Sequence, residues 1–136
     1  MADKKISQLT AATALDGTEA LPVVQGGTTK KATVANVLTG QIVTESGTSR
    51  TLSATDNGKV IYCTSSSAVT INCAAGLGAG FNCTIIQAGA GKVTIAANGQ
   101  TLNSYSGLLS TMGQYAVVSL IAPVANTFIA AGNLGV

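Results

Sequence analysis

Between Val60 and Val136 the chain carries a single charged side chain, Lys92. The other six basic and all five acidic residues lie between Met1 and Lys59. A free monomer ordinarily spreads charge over its surface for solubility. A 77-residue block with one charge is therefore expected to bury much of its surface, against copies of itself or another protein. A neutral Ser/Thr/Asn coat is the other way for such a block to stay soluble. The shift in charge marks a boundary near Gly40, with residues 1–40 as an attachment arm and residues 41–136 as a β-domain.

The β reading comes from short apolar runs rich in Val, Ile and Thr, separated by turn residues. Expected strands cover Gln41–Glu45, Arg50–Ser53, Lys59–Thr64, Ala68–Cys73, Phe81–Gln87, Lys92–Ala97, Gln114–Ala122 and Asn126–Ala131, with Gln100–Asn103 and Gly107–Ser110 as short pieces between them. Ala68–Cys73 alternates cleanly, with Val69, Ile71 and Cys73 on one face. Gln114–Ala122 is apolar on both faces, as a central strand or one beneath an interface would be. Asp56-Asn57-Gly58 and Gly89-Ala90-Gly91 read as turns, and Asn98-Gly99 as a hairpin signal. The fragments VTIN at Val69 and VTIA at Val93 look alike, but two short matches satisfy the strand pattern without making a repeat. Eight or nine closely spaced strands predict a mainly β fold, an antiparallel β-sandwich or jelly-roll-like domain.

The arm reads differently. Leu21-Pro22-Val23-Val24-Gln25 is an expected edge strand, because Pro22 cannot donate to a ladder. Gly26-Gly27 reverses the chain, and Thr28–Thr33 returns as a second strand. Thr33 is suited to cap a short helix over Val34–Thr39, ended by Gly40, with Val34, Val37 and Leu38 on one face. A helix this short needs a surface to dock on. Ile6 and Leu9 are the main large apolar groups of the lead-in.

Several function classes find little support. The chain has no histidine and no tryptophan. Ser-His-Asp and Cys-His arrangements and most zinc sites are thereby removed. No catalytic, metal or cofactor residues are assigned, and a non-enzymatic protein is expected. Glu45 and Asp56 are the one carboxylate pair considered for glycoside hydrolysis; both lie in or beside turn sequences where acids are routine. Gly76-Leu77-Gly78-Ala79-Gly80 begins like a dinucleotide fingerprint, yet a strand pattern follows where that motif needs a helix. Cys63, Cys73 and Cys83 are odd in number, each falls in an expected strand, and they read as reduced core residues. A net charge of +2 is too weak for a nucleic-acid footprint. No apolar run reaches the roughly 18 residues of a membrane span. The basic N-terminus lacks the apolar stretch of a signal peptide, so synthesis and retention in a cytoplasm are expected.

The leader KISQLTAATALDGTEALPVVQGGTTKKATVANVL resembles the leader of many tailed-bacteriophage virion proteins. The resemblance rests on Ile6–Leu9, on the turn-strand phrase Asp16–Val24, and on Thr29–Leu38. Asp56–Val60, Ala68–Ile71 and Gln87–Ile95 are similar to phrases of the β-domains in such fibre and decoration proteins. The resemblance implies a non-enzymatic virion structural protein, commonly a trimer, assembled in the host cytoplasm. The chain stops at Val136, soon after one β-domain, so the compact form is expected: a capsid decoration (cement) protein on the major capsid protein. A short head fibre, or a tail-fibre or tail-adaptor protein bound to a neighbouring fibre, is the alternative. A carbohydrate-binding module presenting Tyr105 comes third.

Residues assigned to shell attachment are Ile6, Leu9, Leu21, Val23, Lys30, Lys31, Val34, Val37 and Leu38. For Lys30 and Lys31 the solvated pair at the end of a strand is the competing reading. Tyr115, Val117, Val118 and Leu120 are assigned to the trimer contact.

Overall fold

The computed structural model describes residues 18–34 and 41–136. The chain divides into two compact units, Met1–Thr39 and Gly40–Val136.

In the first unit, β1 (Ala20–Gln25) and β2 (Thr28–Thr33) form an antiparallel hairpin, with Gln25 opposite Thr28. The two loop residues, Gly26 and Gly27, have φ of 61° and 74°. Positive φ at both positions is the turn that matches the twist of paired strands, and glycine adopts it without steric cost. The amide of Val34 donates to the Glu19 carbonyl at 2.9 Å and closes the hairpin base. The helix expected over Val34–Thr39 falls, beyond Val34, outside the described residues.

The second unit is built of β3 (Ile42–Glu45), β4 (Ser49–Thr51), β5 (Val60–Cys63), β6 (Val69–Asn72), β7 (Asn82–Gln87), β8 (Val93–Ala96), β9 (Thr101–Ser104), β10 (Ser110–Thr111), β11 (Val117–Val124), β12 (Thr127–Gly132) and β13 (Leu134–Gly135). They form two sheets. One has the order β3-β5-β7-β11-β12-β9, the other β13-β10-β8-β6-β4.

Mainly β structure is what the residue pattern predicts. The pairing corrects the antiparallel expectation only in part: both large sheets are mixed, with antiparallel pairs beside parallel ones. From β3 to β8 successive strands alternate between the sheets, and each of the first four pairs in parallel with the strand two places on: β3 with β5, β5 with β7, β4 with β6, β6 with β8. This is the winding of a short β-solenoid. Its last two coils are offset by about 24 residues. VTIN and VTIA, set aside as a chance match, are neighbouring strands in register: Val69 beside Val93, Thr70 beside Thr94, Ile71 beside Ile95. Antiparallel strands then end the winding, β11 against β7 and β10 against β8. Asn98 and Gly99 have the positive φ of a tight turn, but β8 and β9 lie in different sheets, so no hairpin forms there.

Glycine at 89 and 91 has a packing cause. Gly89-Ala90-Gly91 lies on the loop of the previous coil, with the Ala88 and Gly89 amides donating to the Cys63 carbonyl and the Gly91 amide to that of Ser65. A Cβ on Gly89 would stand 2.1 Å from the Ser65 carbonyl oxygen, inside any tolerable contact.

Both sheets contribute to one core. Ile61, Cys63, Cys83, Ile85, Val118, Leu120, Phe128 and Ala130 come from the six-stranded sheet, and Val69, Ile71, Val93 and Ile95 from the other. Phe81 and Phe128 meet edge-to-face at 6.4 Å. Cys63, Cys73 and Cys83 are free and buried, as expected. At one end, the Thr111 hydroxyl accepts from the Val93 amide at 3.0 Å and donates to Gln87 Oε1. This buried polar link joins β7 of one sheet to β8 and β10 of the other.

Candidate interaction surface

The six-stranded sheet has one face in the core and one in solvent, because residues alternate sides along each strand. Register places the outward residues in rows. Thr44, Tyr62, Ile86 and Val117 form one; Ile42, Val60, Thr84, Ser119 and Ala131 form the next; Asn82, Ile121, Ile129 and Asn103 form a third. Ile42, Tyr62, Val117, Ile121 and Ile129 are between 38% and 68% exposed. No row contains a charge.

The charges of this unit lie elsewhere, and most are engaged. Arg50 Nη1 contacts Glu45 Oε2 at 3.3 Å, and Arg50 Nη2 contacts Asp56 Oδ1 at 2.5 Å. Asp56 is 1% exposed and closes a single 3-10 turn, Ala54–Asp56. Its Oδ2 accepts from the Ser53 amide at 2.9 Å and from the Ser53 hydroxyl at 3.2 Å. Burial alone pushes the Asp56 carboxyl up, but the Arg50 hydrogen bond, the Ser53 amide and the Arg50 charge together hold it below its usual value. Glu45 and Asp56, weighed above as a hydrolytic pair, are thus joined through one guanidinium. Lys92 Nζ donates to the Val136 carbonyl at 2.6 Å.

The residues assigned from sequence divide accordingly. Leu21, Val23, Lys30, Lys31 and Val34 lie in the hairpin unit, while Ile6, Leu9, Val37 and Leu38 lie outside the described residues. Val23 pairs with Lys30 and Pro22 with Lys31, so the two lysines project from opposite faces of the hairpin and form no single cationic patch. Lys30 Nζ donates to Gln25 Oε1 at 3.3 Å. Val34 is buried.

Of the assigned trimer contacts, Val117 and Tyr115 are exposed. Val118 and Leu120 correct that assignment: both are fully buried in the core, since they occupy the inward positions of β11. The sequence signal, apolar on both faces, holds for most of β11, whose outward residues include Val117 and Ile121 with Ser119 between them. Ile42, Tyr62, Ile86 and Ile129 were missed, because membership of a common face follows from pairing between distant strands.

Two exposed tyrosines lie apart from those rows. Tyr105 is 90% exposed in a 3-10 turn whose next residue, Ser106, has φ of 56°. Tyr115, with φ of 67°, borders a shallow depression of about 350 Å³ with Met112, Gly113, Gln114, Ala116 and Asn133. Among the described residues, no group of three or more Cys, Asp or Glu side chains is placed to hold a metal ion, and no helix is long and apolar enough to cross a membrane.

No protein-family model matches the chain, and a comparison with curated proteins found no match.

Proposed function

We propose that the chain is a non-enzymatic virion structural protein, a capsid decoration (cement) protein that binds the assembled head shell as a trimer and reinforces it. The observation that carries this reading is the contrast between the leader and the β-domain. The leader holds the phage-like phrases and a small hairpin too slight to stand alone. The β-domain presents an uncharged apolar sheet face and ties Glu45, Arg50 and Asp56 to one another. In this reading residues 1–40 grip the major capsid protein on the virion surface. The β-domain is a sandwich in its layering, with strands wound as a solenoid in place of a jelly roll. Repetition on a symmetric shell multiplies weak contacts into avidity.

The test is assembly. The full chain should bind purified shells at hundreds of copies and raise their resistance to heat. A chain lacking residues 1–40 should lose shell binding. Full decoration by the shortened chain overturns the attachment role. A handful of copies per particle selects the alternative, a short head-fibre or tail-adaptor protein. The exposure of Tyr105 favours a third reading, a carbohydrate-binding module, which requires that Tyr105→Ala abolish binding in a glycan screen.

A further inference from the structure

Three of the four sheet edges are treated differently by the sequence from the outer face of the larger sheet; the fourth edge, β9, is four residues long and uncharged. At one end of the winding the edge strands are β3 and β4, each paired on one side only. They carry Glu45 and Arg50, which meet Asp56 in an ion cluster. Charge on an edge strand is a standard guard against strand-to-strand addition. The far edge of the smaller sheet is β13, two residues long, with Lys92 held to the Val136 carbonyl beside it. The broad face of the six-stranded sheet has no such guard. Ile42, Tyr62, Val117, Ile121 and Ile129 stand on it among neutral Thr, Ser and Asn side chains.

A charged partner surface placed on this face would lose hydration and gain no countercharge. The face therefore selects a neutral, apolar partner of similar flatness. The same face on another copy meets that requirement: pairing it with itself sets no charge against charge, and the hydroxyl and amide groups can bond across. Size is adequate. Six strands at about 4.8 Å spacing and about five residues at 3.3 Å give a footprint on the order of 25 by 17 Å; with side-chain relief two such faces bury on the order of 1,200 Å², the lower range of stable interfaces.

We infer that copies of this chain associate through the outer face of the six-stranded sheet, with Val117, Ile121 and Ile129 at the contact and the charged edge strands β3 and β4 excluded from it. This goes beyond the proposed function: a face paired with itself makes a twofold contact, and it depends on the β-domain alone, not on shell binding or on the trimer.

The experiment measures the solution mass of the full chain by light scattering and sedimentation. Ile121→Lys with Ile129→Lys places two like charges on register partners of the face. Thr51→Lys, an exposed position on β4 of the other sheet, is the control. The wild-type chain and the control should have the mass of two copies, since a face paired with itself closes a twofold dimer, and the double-lysine variant that of one, with an unchanged far-ultraviolet spectrum. A single-copy wild-type mass at high micromolar concentration, or an unchanged mass for a folded double variant, overturns the inference. If the double-lysine variant does not fold, Ile121→Thr with Ile129→Thr preserves strand propensity and should weaken self-association by about tenfold or more; an unchanged dissociation constant overturns the inference equally. A three-copy mass overturns the self-paired face and leaves a trimer to another surface. Two copies retain the surface and remove the trimer.

Discussion

Gly91 lies against the backbone of Ser67 so closely that a Cβ on it would stand 1.9 Å from the Ser67 carbonyl oxygen. The contact is between one coil of the winding and the next, and the loops can stack at that distance only while position 91 has no side chain. Gly91→Ala, and likewise Gly89→Ala, should destabilise the fold by about 3 kcal/mol or more, since the obstacle is backbone and cannot rotate away. Gly78→Ala, where a Cβ meets nothing within 4 Å, should change stability by less than about 1 kcal/mol. Urea denaturation of the three variants checks this.

Asp56 sits below its usual pKa because Arg50 and Ser53 stabilise its charged form more than burial opposes it. A carboxylate depressed in the folded state adds stability above its unfolded pKa, near 3.8, and that stability is lost as pH falls through the folded value. Asp56→Asn should therefore cost about 2 kcal/mol at pH 7 and flatten the acid limb of the stability curve. Thermal melts between pH 7 and pH 2 provide the comparison; an equally steep acid limb in the variant contradicts the assignment.

Burial raises the Cys63 and Cys73 thiols to about 11 and the Cys83 thiol to about 12. Native protein at pH 8 should leave a thiol-reactive dye almost untouched, with three equivalents reacting on unfolding. A raised thiol pKa also means that the unfolded chain ionises first. Stability from this source is intact below about pH 9 and falls as pH rises toward 11–12. Denaturation midpoints on the alkaline side test the direction.

Val117 and Val118 are neighbours with opposite roles. Val118 is fully buried and Val117 faces out. Val118→Ala should lower stability by about 2 kcal/mol or more and Leu120→Ala by about 2–5 kcal/mol. Val117→Ala should change monomer stability by less than about 1 kcal/mol. Calorimetry of the three variants distinguishes inward from outward positions.

Strand positions were widely readable because alternation is local. Val69, Ile71 and Cys73 announce an inward face from five consecutive residues, and the burial follows them. The Gly26-Gly27 reversal was equally legible, since the turn chemistry resides in the two residues that make it. The candidate surface was only half legible. Gln114–Ala122 shows that one strand is apolar on both sides, yet nothing near it says that Tyr62 and Ile129 share its outer face. That depends on β5, β7, β11 and β12 lying side by side.

The sequence by itself determined that this chain is mainly β, that its charges gather before Val60, that its cysteines are core residues, and where most strands run. These follow from residue-level preferences and short-range periodicity. Which strands pair, and in which direction, was decided by tertiary structure. Asn98-Gly99 has the φ values of a hairpin turn while its flanking strands join different sheets, and VTIN and VTIA are neighbours across a full coil. A single strand exposes the same hydrogen-bonding groups to a parallel or an antiparallel neighbour. The choice is made in the core, where the winding sets Ile61 beside Ile85 in one sheet and Ile71 beside Ile95 in the other and buries all four.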